Sequence, residues 1–284
     1  MKRDQNFKYF SLSLIWFWLF LFALLPTCFV VATSFMPPHQ NDILSQTSTL
    51  ENYQLVFQPL YLKIFQKSFV IAGLATLICL FLGYPFAYLI ARMQGRLKNF
   101  LLMLIIIPFW TSSLIRSYAL IAMIKTKGLL NTFLLSLGFI SGPLPLLFTN
   151  TAVMIGLVYN LLPFMILPIL TNVERLDSQI IDAARDLGAN RMTTFRRIVL
   201  PLTLPGIIAG CILVFLPAMT IFYIPDILGG AKSILLGNLI QNQYLIAQNW
   251  PMGSALSTVL TLILVSLIII YLIATRGNKK RDWM

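Results

Sequence analysis

The sequence predicts an all-α integral membrane protein, a bundle of six transmembrane helices with both termini on the cytoplasmic side. Three observations carry that expectation. Of 284 residues, 58% are hydrophobic and 11% charged, with a mean hydropathy of +0.83, which leaves too few polar groups to cover a water-soluble domain. The apolar residues fall in runs of about twenty, the length a helix needs to cross hydrocarbon. The net charge of +12 sits in short clusters at the ends of those runs, where membrane topology places lysine and arginine, so it does not argue for nucleic-acid binding.

Taken in order, residues 1–11 form a tail with Lys2, Arg3 and Lys8, followed by an apolar run over 12–35. That run exceeds the roughly 7–15 residues of a signal-peptide core, so it reads as an uncleaved first span. Residues 36–66 hold Pro37-Pro38 and Leu50-Glu51-Asn52-Tyr53, expected as a helix lying along the outer surface. Further spans are predicted over 68–91, 100–123, 150–173, 203–225 and 254–275, with a second tail over 276–284; residues 12–275 read as one transmembrane domain. Pro108, Pro163, Pro168 and Pro217 lie inside the third, fourth and fifth spans and should bend them, since proline frees a carbonyl one turn back. Residues 125–149, with Lys127-Gly128-Leu129-Leu130-Asn131 and Gly142-Pro143, read as an outer connector. Gly206 and Gly210 form a GxxxG pair that permits close helix approach; tight packing is the expectation and a subunit contact the alternative. Cys28, Cys79 and Cys211 each lie inside an apolar run without a CxxC pair, so three free, buried thiols are expected.

Orientation follows from the basic residues. With the N-terminus inside, fifteen lysines and arginines face the cytoplasm, among them Arg92, Arg96, Lys98, Arg175, Arg185, Arg191, Arg196, Arg197, Arg276, Lys279, Lys280 and Arg281. Five face outward: Lys63, Lys67, Lys125, Lys127 and Lys232; Arg116 falls within the third span. This bias places both tails and the central loop, 174–202, in the cytoplasm.

That loop contains DAARDLGANRMTTFRRIVLP, residues 182–201, a polar island between two apolar segments. Asp177 or Ser178 can cap a short helix, with Ile180, Ala184 and Leu187 on one face. Gly188 is a natural stop. A second helix follows, with Met192, Phe195 and Val199 on one face, until Pro201 ends it. Two short helices joined by a glycine elbow make a docking knob with no catalytic group in it; an ordinary amphipathic loop lying against the membrane is the alternative.

Nothing in the chain binds ATP by pattern. Gly229-Gly230-Ala231-Lys232-Ser233 comes nearest to a phosphate-binding loop, but alanine stands where the second glycine belongs. The single histidine, His39, lies in a loop, and no metal-ligand spacing accompanies it. No metal site, no catalytic site and no enzyme activity are expected of this chain.

Polar groups within spans are rare and tend to face a cavity. Trp110, Tyr118, Arg116 and Asn160 are such groups. At the end of the fifth span, Phe222, Tyr223 and Asp226 can share a helical face if Pro225 does not unwind it. Two rings and a carboxylate suit an organic cation; interfacial aromatics beside a solvated acid are the alternative. Arg116 is expected to pair or snorkel rather than to bind substrate.

The central loop resembles the EAA loop of the membrane subunits of bacterial ABC importers: Glu-Ala-Ala, three residues, Gly, nine residues, Ile, one residue, Leu-Pro. Asp182-Ala183-Ala184 is followed at those spacings by Gly188, Ile198, Leu200 and Pro201, with Asp182 in place of Glu. Pro108-Phe109-Trp110-Thr111, Ser113-Leu114-Ile115-Arg116, Gly156-Leu157-Val158-Tyr159, Leu162-Pro163-Phe164-Met165, Leu216-Pro217-Ala218-Met219 and Phe222-Tyr223 resemble permease subunits of spermidine/putrescine importers. So do Gly229-Gly230-Ala231-Lys232 and the Asn52-Tyr53 segment before the second span.

The resemblance implies a type I importer permease in a bacterial inner membrane, moving polyamines by alternating access. It implies a second, related permease, two cytoplasmic ATPase subunits that bind ATP and magnesium, and a periplasmic polyamine-binding protein; this chain itself would hold no cofactor. The implied coupling residues are Asp182, Ala183, Ala184, Gly188, Ile198, Leu200 and Pro201. A permease for another small solute remains open. A secondary transporter would need ionisable groups within the spans for ion coupling and usually matching halves; no carboxylate lies within the span cores and no internal repeat is evident. A membrane scaffold without transport would leave the polar groups within spans unexplained.

Overall fold

Helix is the answer the bilayer imposes: with no water in hydrocarbon, each backbone group must be paired within its own segment. In a computed structural model describing residues 12–37, 48–230 and 233–279, with backbone alone at Ser178 and 274–279, every regular element is helical. We number them α1 (Leu12–Thr33), α2 (Glu51–Val56), α3 (Pro59–Ala91), α4 (Arg96–Ile106), α5 (Ser113–Ile124), α6 (Leu129–Ser136) and α7 (Asn150–Glu174). Then come α8 (Ser178–Asp186), α9 (Arg191–Thr220), α10 (Tyr223–Gly229), α11 (Leu236–Leu245) and α12 (Trp250–Lys279). Lys2, Arg3, Lys8, His39, Ala231, Lys232, Lys280 and Arg281 lie outside the described residues, as do the side chains of Arg276 and Lys279.

Among the described residues, six helical stretches are long and apolar enough to cross a membrane: α1, α3, α5 with α6, α7, α9, and Trp250–Ile273 within α12. Two of them correct the sequence expectation. The third run is not one helix over 100–123. Pro108 cannot donate a hydrogen bond, so α4 tightens into a 3-10 turn, Ile107–Trp110, and the chain turns extended at Thr111 before α5 begins. The long apolar stretch is instead Ser113–Ser136, in which α5 and α6 are joined through the turn at Lys125–Gly128. The fifth run does not reach residue 225 as one helix; α9 stops at Thr220, Ile221 is extended, and α10 starts afresh.

Prolines elsewhere are absorbed. Pro163 and Pro168 lie inside α7, and Pro217 inside α9, without ending either helix. Two π-turns show one way this is done. Phe20–Leu24 and Phe195–Val199 each stop two residues before a proline, Pro26 and Pro201. In each, the next N–H reaches five residues back, Leu25 to Phe20 O and Leu200 to Phe195 O. Widening the turn relieves the clash between the proline ring and the carbonyl four residues earlier. Pro201 therefore does not end a helix, contrary to expectation; α9 runs through it.

The chain divides into two compact units. The first holds residues 1–63 and 239–284. In it α1 and α2 pack on α12. Thr33 Oγ1 donates to Ser254 Oγ at 2.7 Å, and Ser254 also meets Tyr244 Oη at 2.8 Å. Asn52, fully buried, donates to the carbonyls of Ser34 and Met36, while Tyr53 Oη meets Ser34 Oγ at 2.6 Å. The Asn52-Tyr53 pair is thus a clasp on the end of α1 rather than a face lying on a surface.

The second unit, residues 64–238, holds most of α3, all of α4 to α10 and the first residues of α11. Its core is the α7–α9 seam. A Cβ on Gly206 would lie 2.8 Å from the Pro168 carbonyl oxygen, and one on Gly210 would lie 3.2 Å from Met165 O. From α3, Gly83 approaches the same Met165 at 3.1 Å. The GxxxG pair is therefore used for packing within the chain. All three cysteines are free, but only Cys79 is buried; Cys28 is exposed and Cys211 half-buried. An apolar surface that faces lipid need not be covered by protein, which is why hydropathy alone misplaced Cys28.

Candidate functional site

The central loop is built from its caps outward. Asp177 Oδ1 accepts the Gln179 N–H at 2.9 Å and starts α8. Gly188 has φ +82°, and its N–H donates to Arg185 O at 2.8 Å while the Ala189 N–H donates to Ala184 O at 3.0 Å. That pair of bonds closes a helix when the next residue is left-handed. Nothing lies within 4 Å of a Cβ placed on Gly188, so glycine is required there for its backbone angle alone. Asn190 Oδ1 then accepts the Thr193 N–H at 2.7 Å and starts α9.

The buried side of α8 is Ile181 and Ala184, at 6% and 7% exposure; Ile180 and Leu187 face out, Leu187 by 90%. The face expected from spacing is rotated by one residue. Apolar residues here come in adjacent pairs, Ile180-Ile181 and Ala183-Ala184, so spacing does not choose between them and packing does. Met192, expected on the packed face, is 72% exposed, whereas Val199 is buried. Leu187 and Met192 thus project on either side of the elbow. Asp182 is exposed and pairs with Arg185 at 3.4 Å; Ala183 and Pro201 are exposed, and Ile198 and Leu200 half-buried.

Two attachments tie this loop to neighbouring helices. Phe195, in the π-turn, meets the rings of Tyr84 and Tyr88 edge-on at 5.7 and 6.1 Å. Tyr84 Oη meets Thr203 Oγ1 at 3.0 Å, and the Arg92 guanidinium lies 4.8 Å from the centre of the Tyr88 ring. Lys98 Nζ pairs with Glu174 Oε1 at 2.8 Å. Between these attachments lies a cleft of about 290 Å³, walled by Arg92, Lys98, Glu174, Ile181 and Asp182 among others.

The second cluster forms where α9 breaks. Phe222 precedes α10, and its ring meets Tyr223 edge-on at 6.0 Å. Asp226, in the first turn of α10, is exposed. Pro225 is buried within α10 and does not unwind it. Helix α10 packs against α5 and α7. Gly156 makes room for it: a Cβ there would collide with Leu228 and Ile224. Asn160 is 3% exposed and donates to Gly156 O at 2.9 Å, while its Oδ1 is buried with no protein partner. In α5, Tyr118 is exposed, and the Arg116 Nε is buried without a hydrogen-bond partner. Trp110 lies apart from this arrangement in its contacts, lining an apolar groove with Asn99, Leu102, Met103, Ile106 and Ile107.

Residues 80–281 match the family profile of the binding-protein-dependent transport system inner membrane component. The chain belongs to that family of importer permeases. It is 46% identical over 276 residues to the spermidine/putrescine transport system permease protein PotB of Haemophilus influenzae, covering 97% of this chain and 96% of the relative. It is 48% identical over 264 residues to the Escherichia coli K12 protein of that name, covering 93% and 96%. The inner membrane ABC transporter permease protein YdcU of the same organism is 33% identical over 238 residues, covering 79% and 74%. A bacterial ABC transporter that imports the acidic polysaccharide alginate has the same fold, with a TM-score of 0.79 at 15% identity over 97% of this chain and 96% of that one. A complex of such a transporter with its alginate-pentasaccharide-bound periplasmic protein gives a TM-score of 0.77 at 14% identity, over 95% and 93%.

For a permease of this family, sequence reasoning located the elbow, its glycine and its first cap. It missed the attachments. Tyr84 and Tyr88 lie in an apolar run where aromatic residues are common, and Phe195 lies in the polar island with no pattern pointing to them. Lys98 and Glu174 are far apart in sequence with no pattern linking them. It missed Asn238 as well, a buried amide on α11 that hydrogen-bonds Asp226. The two residues lie on successive helices, α10 and α11, with no sequence pattern linking them.

Proposed function

We propose that this chain is a pore subunit of an ATP-driven importer of polyamines in a bacterial inner membrane. Both termini and the α8 elbow would face the cytoplasm, as the lysine and arginine distribution favours. The Lys98–Glu174 pair supports one part of that topology, since it joins two loops assigned to the same side. The partners are a second, related permease, two ATPase subunits that carry ATP and magnesium, and a periplasmic polyamine-binding protein. Near-full-length identity of 46–48% to spermidine/putrescine permeases is the observation that carries the substrate class.

Leu187 and Met192 offer apolar side chains for a groove on the ATPase. Closure of the ATPase pair moves the elbow; Phe195 and the Lys98–Glu174 pair pass that motion to α3 and α4, and the bundle alternates between inward and outward opening. Asp182, Ala183, Ala184, Gly188, Ile198, Leu200 and Pro201 shape the moving part. On the substrate side, Phe222, Tyr223 and Asp226 offer two ring faces and a carboxylate to a protonated amine, with Trp110, Tyr118 and Asn160 along the path.

Uptake of labelled spermidine into vesicles carrying the assembled complex tests this. Transport that requires ATP, with a KM raised severalfold by Asp226→Asn, is expected. Unchanged kinetics in Asp226→Asn would remove the cation role of that carboxylate and leave the importer architecture standing. Uptake driven by an ion gradient in the absence of ATP would instead identify a secondary transporter.

A further inference from the structure

The start of α11 lies in the interior. Leu235 and Leu236 are at most 1% exposed, and the Leu236 N–H donates to Ser68 Oγ at 2.8 Å. Gly237 presses on the backbone where α9 breaks; a Cβ there would collide with the Thr220 carbonyl. Asn238, next in sequence and 2% exposed, has its side chain fully engaged. Its Oδ1 accepts the Leu235 N–H at 3.2 Å, and its Nδ2 donates both to Phe222 O at 2.6 Å and to Oδ1 of Asp226. The same Phe222 carbonyl accepts the Asp226 N–H at 3.2 Å. One buried amide therefore sets the backbone that carries the two rings and the carboxylate beside them.

We propose that Asn238 is a positioning residue that holds the Asp226 carboxylate beside Phe222 and Tyr223 for a protonated amine of the substrate. This rests on the reading of Asp226 as a cation-binding group. An amide suits the task. Its N–H donors orient the carboxylate and add no charge of their own to repel a cation. Occupying Oδ1 fixes the carboxylate rotamer, and the group remains exposed at the surface of α10. A lysine or arginine in the same place would hold the carboxylate as well but would cancel its charge.

The test is a double-mutant cycle on spermidine uptake in proteoliposomes of the whole complex. Asn238→Leu removes both donors at similar volume. Asn238→Ala removes the same donors with less bulk and serves if the leucine variant does not insert. Either variant is expected to raise KM about tenfold, the scale of a lost hydrogen bond to a charged group, with maximal rate changed less than twofold. In an Asp226→Asn background the same change should move KM less than twofold. Equal shifts in both backgrounds, or a loss confined to maximal rate, would mean that Asn238 only braces the fold and would overturn the proposal. If Asp226→Asn alone leaves KM unchanged, the cation reading fails first and the proposal with it, an outcome distinct from additive shifts.

Discussion

At the scale of residues, Gly188 shows how one backbone angle separates a structural need from a packing need. Its φ of +82° excludes a side chain on conformational grounds, yet open space surrounds it. Gly188→Ala should therefore cost about 1–2 kcal/mol of local strain and leave insertion and assembly intact. Gly188→Pro should do far more, because proline cannot take a positive φ and would also remove the N–H bonded to Arg185 O. Graded loss of substrate-stimulated ATP hydrolysis, mild for alanine and near-complete for proline, is the expected outcome. The glycine was legible in the sequence because a capping residue opens the first short helix of the polar island and a glycine stands where that helix must stop; the second cap, Asn190, came only from the structure. The packed face of α8 was not, because adjacent apolar pairs satisfy two helical registers equally and only the Ile181 contact decides between them.

At the scale of elements, the α7–α9 seam and the loop attachments make opposite predictions. Gly206 sits 2.8 Å, by its absent Cβ, from the Pro168 carbonyl, so Gly206→Val must push two helices apart. That overpacking should destabilise by about 1–3 kcal/mol, read as reduced assembled complex and a lower midpoint in detergent thermal unfolding. The Lys98–Glu174 pair is partly exposed, at 26% and 35% by side chain, and such pairs contribute only about 0.2–1 kcal/mol. Lys98→Glu or Glu174→Lys should therefore leave the unfolding midpoint almost unchanged and instead raise ATP hydrolysed per spermidine transported, with the double exchange restoring the ratio. Helix existence at this scale was legible from hydropathy. Helix ends were not: the break at Thr111 follows a 3-10 turn and the passage of α9 through Pro201 uses a π-turn, opposite answers to the missing proline N–H, while α9 stops at Thr220 where Ile221 turns extended.

At the scale of the molecule, the proposed function needs two features to work together: an elbow that would receive motion and a cluster at the far end of α9 that would take a cation. Asp182–Pro201 begins that path and Phe222–Asp226 ends it, with α9 running from one to the other. The six-span architecture could be read from composition and run length, and the family from the spaced positions of the central loop. The connection between loop and spans could not, because Tyr84, Tyr88, Phe195, Lys98 and Glu174 meet only once the helices pack. The measurement that tests coupling most directly is ATP hydrolysis and labelled spermidine uptake recorded together in proteoliposomes. These would hold this chain with its sister permease, ATPase and binding protein, with and without Gly188→Pro. The account expects spermidine-stimulated hydrolysis and uptake in the native complex, and loss of both in the variant while the complex still assembles. Native-like uptake through Gly188→Pro would contradict it.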